Sequence, residues 1–428
     1  MKTLNYPKVQ ETLYHEVLPN GLSVYLLPKH GFQKTYATFT TRFGSVDNRF
    51  ASAGAEPVSV EDGIAHFLEH KMFEEPEGDI FATFASQGAS ANAFTSFDRT
   101  AYLFSATEQI AANLTTLLDF VQNPYFTDEN VDKEKGIIEQ EINMYSDNPD
   151  WRVYTGLIDA LYHKHPVHID IAGSVESIRR ITKESLYECY RTFYHPSNML
   201  LFVVGGVDKD EIMDVVRRNQ AAKTFGEAPQ IKRLIENEPD SVKLEVKRSE
   251  LAVSLPKMMF GFKERQMPRD SAELLMKEVT SKLMLEALLG ASSKLYQQLY
   301  DDDLISDSFG YEYNSSATYG FSLIGGETRD PQALLDAIRA SVEATLASGI
   351  QPDDFERIRR KRIGSYLRML NSPEAIANEF TRYKFRGSDL FELLPLYESV
   401  TLEQANDRMR EHFDWNQMAV SIVEKAAP

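Results

Sequence analysis

Two histidines four residues apart, His66 and His70, are the residues of this chain best suited to chemistry. They lie in the segment His-Phe-Leu-Glu-His, in which Glu69 directly precedes the second histidine. On a helix, positions i and i+4 share one face, so the two imidazoles can bind one divalent metal. Glu69 is then close enough to take a proton from a water molecule at that metal. Zinc is the expected metal, because histidine and carboxylate ligands with one open position form a hydrolytic zinc site.

The order of this motif, H-x-x-E-H, inverts the usual zinc-protease signature, in which the glutamate follows the first histidine. A surface helix that carries the same residues without a metal is the competing interpretation. A third ligand would favour the interpretation as a metal site, and Glu141 is the candidate. The segment from Asp128 to Tyr145 has apolar residues at helical period, with Asn130 as a possible cap. Glu134 shares the face of Glu141 and is expected to hydrogen-bond a ligand histidine from outside the ligand set.

A strand or hairpin is predicted between these two helices. Small residues followed by alternating β-formers occupy Gly88–Phe104. A strand edge beside a zinc ion can pair with an extended peptide and hold its scissile carbonyl over the metal. An ordinary core strand is the alternative for this segment.

Taken in chain order, these motifs resemble the pitrilysin/insulinase family of zinc peptidases. The resemblance rests on the H-x-x-E-H motif, the strand with Asn92 and Ala93, and the Glu134/Glu141 pair. It extends over roughly residues 20 to 210 and includes the later run Tyr194–Leu200. Within the family, the processing-peptidase branch and its YmfH-like bacterial subunits are the most similar.

The resemblance implies a zinc-dependent endopeptidase with Zn²⁺ as its cofactor and peptides as its substrates. The implied roles are zinc ligands His66, His70 and Glu141, general base Glu69, supporting residue Glu134, and peptide-binding residues Asn92 and Ala93. Zinc would lower the pKa of its water from 15.7 to about 7, and Glu69 would pass the proton to the departing amine. Two other functions stay open, a structural or regulatory subunit with a vestigial metal site and a non-proteolytic zinc hydrolase.

The second half of the chain repeats the plan of the first in degenerate form. A helix through Lys282–Leu299 precedes strand-like segments at Ser308–Tyr313 and Tyr319–Gly325, and long helices start at Pro331 and Asp353. No second histidine pair accompanies them, so we expect a duplicated fold with one metal site.

These patterns predict an α+β fold of two similar α/β-sandwich domains with mainly antiparallel sheets and packed helices. The expected division is a zinc-bearing domain at 1–220, a polar linker at 221–241 and a homologous domain without metal at 242–428. The resemblance to processing peptidases further implies assembly into a clamshell chamber.

One expected feature of the family is absent from the second half. Family members carry an arginine and a tyrosine seven residues apart after a Leu-Tyr-x-x-Leu segment, and the matching positions here hold Tyr300 and Asp307. An ionised aspartate donates no hydrogen bond to an oxyanion. We therefore expect a heterodimer in which a related subunit supplies these donors. The alternative is a homodimer in which Tyr311 or Tyr313 acts.

Composition limits the remaining partners. The formal net charge of −18, from 46 basic and 64 acidic residues, argues against nucleic acid and anionic membranes as partners. The single cysteine, Cys189, permits no intrachain disulfide and no cysteine-based metal site. The first eight residues hold no apolar leader, and no apolar run of 18 residues occurs. We expect cytoplasmic residence.

Overall fold

The chain divides into two units, each assembled from three separate segments. The structure is a computed structural model that describes residues 1–52, 54, 56–76 and 78–426. The segments of unit 1 are Met1–Ile142, Ile169–Ile235 and Arg368–Phe385, and those of unit 2 are Asn143–His168, Glu236–Leu367 and Arg386–Pro428. No helix in the described part of the chain is both long and apolar enough to cross a membrane.

The strands and helices are numbered here in chain order. The strands are β1 (Lys2–Tyr6), β2 (Glu11–Val17), β3 (Ser23–Pro28), β4 (Thr35–Thr41), β5 (Arg49–Ser52), β6 (Val58–Ser59), β7 (Glu74–Glu75), β8 (Gly78–Asp79), β9 (Ala89–Thr95), β10 (Thr100–Ala106), β11 (Met199–Gly205), β12 (Ile231–Arg233), β13 (Val246–Glu250), β14 (Lys257–Phe262), β15 (Gly310–Ser315), β16 (Gly320–Glu327) and β17 (Met418–Glu424). The α-helices are α1 (Ile64–Met72), α2 (Phe81–Ser86), α3 (Ile110–Val121), α4 (Asp128–Ser146), α5 (Pro149–Leu161), α6 (Val175–Arg180), α7 (Lys183–Phe193), α8 (Lys209–Ala221), α9 (Ser271–Leu289), α10 (Lys294–Asp301), α11 (Pro331–Ser348), α12 (Pro352–Met369), α13 (Pro373–Phe385), α14 (Leu393–Ser399) and α15 (Leu402–His412).

Unit 1 is built on a seven-stranded sheet of order β1-β2-β3-β11-β4-β10-β9. Its neighbouring strands are antiparallel except for the parallel pair β3–β11. Every residue of β4 and β11 is buried, so both faces of these central strands are covered. Strand β9 ends the sheet, and its outer edge pairs with no strand among the described residues.

Helices cover both faces of this sheet. Because successive strand residues point to opposite faces, Leu201 and Val203 of β11 lie on one face and Phe202 on the other. The first two belong to the core that includes side chains of α1, α3, α7 and α8. Phe202 instead contacts Phe380 of α13, with ring centroids 4.5 Å apart, and Phe380 also meets Tyr25 of β3 at 4.9 Å.

Unit 2 repeats this plan on a five-stranded sheet of order β13-β17-β14-β16-β15. Its parallel pair β13–β17 and its three antiparallel pairs follow the same order as β3-β11-β4-β10-β9 of unit 1. The expected pair of similar α+β sandwich domains with mainly antiparallel sheets is therefore confirmed. The predicted single helix through Lys282–Leu299 is wrong, because the chain leaves the helix at Gly290 and separates α9 from α10.

Each sheet is completed by a helix from the other half of the chain. Helix α5 packs on β13, β14 and β17, and α13 packs on β4 and β11. Tyr162, just after α5, donates a hydrogen bond to the carbonyl of Gly320 and accepts one from its N–H. One passage of the chain from unit 1 to unit 2 lies between Ile235 and Glu236, within the segment 221–241. Helix α5 lies in the segment 1–220 but belongs to unit 2, and α13 lies in 242–428 but belongs to unit 1, so we call α5 and α13 the exchanged helices. Apolar periodicity reports that a helix is buried but not which sheet buries it.

Truncating a buried side chain of α13 tests the placement of this exchanged helix. Phe380 is fully buried, so F380A should lower the free energy of unfolding by about 3–5 kcal/mol. Hydrogen exchange should speed up in β4 and β11, which contact α13. M144A is the control, because Met144 is 60% exposed and its loss should change stability by less than about 0.5 kcal/mol. Faster exchange confined to the strands of unit 2 would contradict this packing.

Candidate metal centre

Helix α1 carries the H-x-x-E-H motif, and a glycine sets its start. Gly63 precedes the helix with a φ of 89°, in the left-handed region that favours glycine. A Cβ at this position would lie 2.4 Å from the carbonyl oxygen of Ala172, so the close approach of the two segments excludes any larger residue. The helix then buries Ile64, Phe67 and Leu68 in the core of unit 1. This anchoring fixes the direction in which the motif side chains project.

Helix α4 carries the two glutamates. Asn130 lies in its first turn rather than at its cap, which corrects the sequence-based expectation. The Thr127 hydroxyl accepts the N–H of Asn130, and the Asn130 side chain accepts the N–H of Thr127 in return. Buried Val131 and Ile138 hold the helix against the core. These contacts orient the side that bears the glutamates toward α1.

The two helices bring three possible metal ligands together. Nε2 of His66 lies 3.8 Å and Nε2 of His70 3.5 Å from Oε2 of Glu141. Ligand atoms held at about 2.1 Å from a tetrahedral zinc are roughly 3.4 Å apart, so these separations fit one zinc ion. The three side chains are each partly exposed, which leaves an open position for water or substrate. Among the described residues, this is the one group of three or more histidine, cysteine or acidic side chains so arranged.

The two histidines have different surroundings. Nδ1 of His70 lies 3.0 Å from Oε1 of Glu134, so this carboxylate fixes the tautomer that leaves Nε2 free for a metal. Burial opposes protonation of His70, but the hydrogen bond that its ring donates to Glu134 and the nearby carboxylates raise its pKa above the ordinary value. Burial and the neighbouring His70 lower the pKa of His66 to about 3. The His66 imidazole is therefore neutral near pH 7, whereas zinc has to displace a proton from His70 below the raised pKa of that residue.

Glu69, the expected general base, is buried beside the ligands. Burial raises its pKa, and the hydroxyl of Thr95 donates a hydrogen bond of 2.7 Å to its Oε2, which opposes that rise. The second hydroxyl in this region, from Thr100, lies 3.4 Å from that of Thr95 and donates to the carbonyl of Phe43. The Glu69 carboxylate is thus held in one orientation.

Asn92 and Ala93 lie on β9, the strand at the end of the seven-stranded sheet. Opposite them on β10 are Leu103 and Tyr102. Oδ1 of Asn92 accepts the N–H of Ala93 at 2.9 Å, so an incoming peptide carbonyl would have to replace that side-chain oxygen. Strand β9 also ends at Thr95, which connects the edge strand directly to Glu69.

Sequence reasoning missed two residues of this centre, Thr95 and Lys71. Thr95 lies two positions after Ala93, on the same face of a strand, and this spacing was a usable signal. Lys71 carried no such signal, because a lysine next to a predicted metal ligand is expected at the surface. It is in fact completely buried.

Unit 2, as far as the structure describes it, holds no equivalent metal ligands. In the register that matches Phe355 to Val131, buried Ile358 replaces Glu134 and Ser365 replaces Glu141. Helix α9, which corresponds to α1, contains no histidine. The positions Tyr300 and Asp307, where donors were expected, are both exposed.

Comparison with known proteins identifies the family of both halves of the chain. Residues 56–175 match the family model described as insulinase, peptidase family M16, and residues 180–362 match the model described as the M16 inactive domain. A Bacillus subtilis protein named "uncharacterized zinc protease YmfH" is 51% identical over 99% of both chains.

Solved structures give the same result for the fold. A crystal structure of an M16-like peptidase from Alicyclobacillus acidocaldarius superposes with a TM-score of 0.94 at 44% identity, covering 97% of this chain and 99% of that one. A protease from Helicobacter pylori, at 19% identity and a TM-score of 0.84, shares the fold over 96% of this chain and 99% of its own. The chain belongs to peptidase family M16, the insulinase family.

Proposed function

We propose that this chain is a zinc-dependent endopeptidase that hydrolyses extended peptides in an enclosed chamber, as the zinc-bearing subunit of a two-subunit complex. The observation that carries the proposal is the approach of His66, His70 and Glu141 to within zinc-binding distance, with Glu69 beside them. The zinc-protease names of relatives support the choice of metal. A subunit freed from catalysis has no physical need for all four side chains.

The residues around the metal would each have a separate task. Zinc, when bound, would supply a Lewis acid and an activated water. Glu69 would accept the proton from that water and return it to the departing amine. Its buried position favours this exchange, because burial raises the pKa of the carboxyl toward the working pH. Thr95 would keep the accepting oxygen aimed in one direction.

The unpaired edge of β9 would bind the substrate backbone. An extended peptide can add to this edge as a further antiparallel or parallel strand, with Asn92 and Ala93 as its partners. Because β9 ends at Thr95, which bonds Glu69, an added strand would pass close to the general base. This geometry favours a peptide over a small non-peptide substrate.

A partner subunit would complete the active site. Asp307 cannot donate a hydrogen bond to the oxyanion when ionised, and Tyr300 occupies the position of the family arginine. The homodimer alternative relied on Tyr311 or Tyr313. The hydroxyl of Tyr311 bonds Glu286, and Tyr313 is buried with 5% exposure, so neither side chain is presented to a substrate at the surface. This supports a related second subunit that brings the donors.

Two substitutions distinguish zinc binding from peptide cleavage. E141Q should lose zinc, whereas E69Q should retain one zinc per chain and lose peptide cleavage by at least about 100-fold. Elemental analysis and a quenched-peptide assay on the same samples give both readings, with and without the partner subunit. E139Q is the matched control, since Glu139 is on α4 but pairs with Arg179 at the surface. A wild-type chain without zinc would contradict the proposal and favour a vestigial site.

Zinc affinity should depend on pH through His70. Its pKa is raised, so a proton competes with zinc at this nitrogen below that pKa, whereas His66 stays neutral down to about pH 3. We expect affinity to fall by up to about tenfold per pH unit as the pH drops through the His70 pKa. Calorimetry in buffers of different ionisation enthalpy would measure the released proton. Affinity that stays constant from pH 8 to pH 5.5 would contradict this assignment.

The hydroxyl of Thr95 should matter for turnover and not for the metal. T95V removes a hydrogen bond to a charged group, worth about 1.5 kcal/mol, and should lower kcat/KM roughly tenfold with zinc retained. T95S should restore most of the activity. T38V is a matched control, because the Thr38 hydroxyl is buried without a hydrogen bond in the described structure. Equal losses in T95V and T38V would mean that the hydroxyl does not act on Glu69.

A further inference from the structure

We propose that Lys71 is a positioning residue of the metal centre, acting through Glu134 on the ligand His70. The inference deepens the proposed function, because it concerns the same site. It is tested by zinc affinity, which can be measured whether or not the chain cleaves peptides.

The lysine side chain is enclosed within unit 1. Lys71 follows His70 on α1, and its side chain is 0% exposed. Its Nζ donates a short hydrogen bond to the carboxylate of Glu74 and lies 3.9 Å from Oε2 of Glu134. A buried ammonium group is stable only when paired, so these carboxylates and the lysine depend on one another.

Glu134 divides its two oxygens between two neighbours. Oε1 lies 3.0 Å from Nδ1 of His70, and Oε2 faces Nζ of Lys71. Consecutive helix residues point about 100° apart, so one carboxylate placed between them can meet both side chains only in a narrow range of orientations. The lysine therefore restricts rotation of the carboxylate that orients the His70 ring.

Charge gives this interaction a second effect. The centre contains the buried carboxylates of Glu69 and Glu134 together with that of Glu141. The positive charge of Lys71 offsets part of the negative charge of these carboxylates. It also holds Glu134 in position to accept the N–H of His70. Without the lysine, Glu134 would be a buried carboxylate held, among the described residues, by the His70 imidazole alone, a state that favours its reorientation.

The direction of the change in zinc affinity distinguishes this role from electrostatic repulsion between Lys71 and the metal. A cation near the site would by itself weaken zinc binding, so its removal would tighten the affinity. If Lys71 acts by orienting Glu134, its removal weakens the affinity instead. The two mechanisms predict opposite changes in one measurement.

A double-mutant cycle tests the coupling directly. Zinc affinities of wild type, K71M, E134Q and the double variant are measured by competition with a chelator, and melting of the metal-free proteins checks folding. E134Q should weaken zinc binding by about 10- to 100-fold, as for other residues that support a metal ligand. K71M should weaken it by about tenfold. In the E134Q background, K71M should have less than about a twofold effect or tighten binding, because only repulsion remains.

Three further variants serve as controls. K71R keeps the charge and should retain affinity within about threefold. E74Q keeps an amide oxygen that accepts the hydrogen bond from Lys71, so the lysine stays beside Glu134 and affinity should change by less than about twofold. K133M removes an exposed lysine of α4 and should have no effect.

Several outcomes would overturn the inference. Zinc binding that is unchanged or tighter in K71M, or losses from K71M and E134Q that add in full, would exclude a role through Glu134. If K71M does not fold, a loss of zinc affinity in E74Q as large as that in E134Q would exclude the proposed role of Lys71. A wild-type chain that binds no zinc would instead overturn the proposed function, so the two failures are distinguishable.

Discussion

The approach of α1 to α4 is the contact on which the candidate metal centre depends. It brings two imidazole nitrogens within 3.8 Å of one carboxylate oxygen, although the helices are separated by more than fifty residues of chain. Such a cluster is unfavourable unless each polar group finds a partner or a metal. The buried strands, the glycine before α1 and the capped first turn of α4 hold that arrangement in place. The metal-ligand geometry thus follows from the packing of the apolar faces.

The duplicated fold shows how one scaffold supports a site in one copy and none in the other. The two sheets share strand order and pairing, so the backbone plan does not distinguish them. The difference lies in the side chains of α9 and α12, which substitute apolar residues and ion pairs for ligands. Glu286 of α9, for example, pairs with Lys361 and Arg362 of α12. Function in this fold is therefore decided by a few positions on two helices.

Much of this architecture could be predicted from the sequence, because its signals are local. The spacing of His66 and His70 and the helical period around Glu141 identify both ligand helices, and the repeated order of elements indicates the duplication. Three features escaped prediction for physical reasons. The exchange of α5 and α13 depends on which sheet buries an apolar helix face, and periodicity does not contain that information. The cap at Thr127 depends on a reciprocal side-chain bond. The burial of Lys71 depends on the packing around α1 and on Glu134, a carboxylate that is distant in sequence.

The central claim is that His66, His70 and Glu141 together hold one zinc ion. Anomalous diffraction from crystals of the zinc-loaded protein, recorded on both sides of the zinc absorption edge, tests it most directly. The account predicts one strong peak per chain at about 2.0–2.2 Å from Nε2 of both histidines and from a carboxylate oxygen of Glu141. It also predicts that Glu69 and Glu134 lie outside the ligand set. A peak ligated by Glu69 or Glu134 in place of Glu141, or no peak between these side chains, would contradict it.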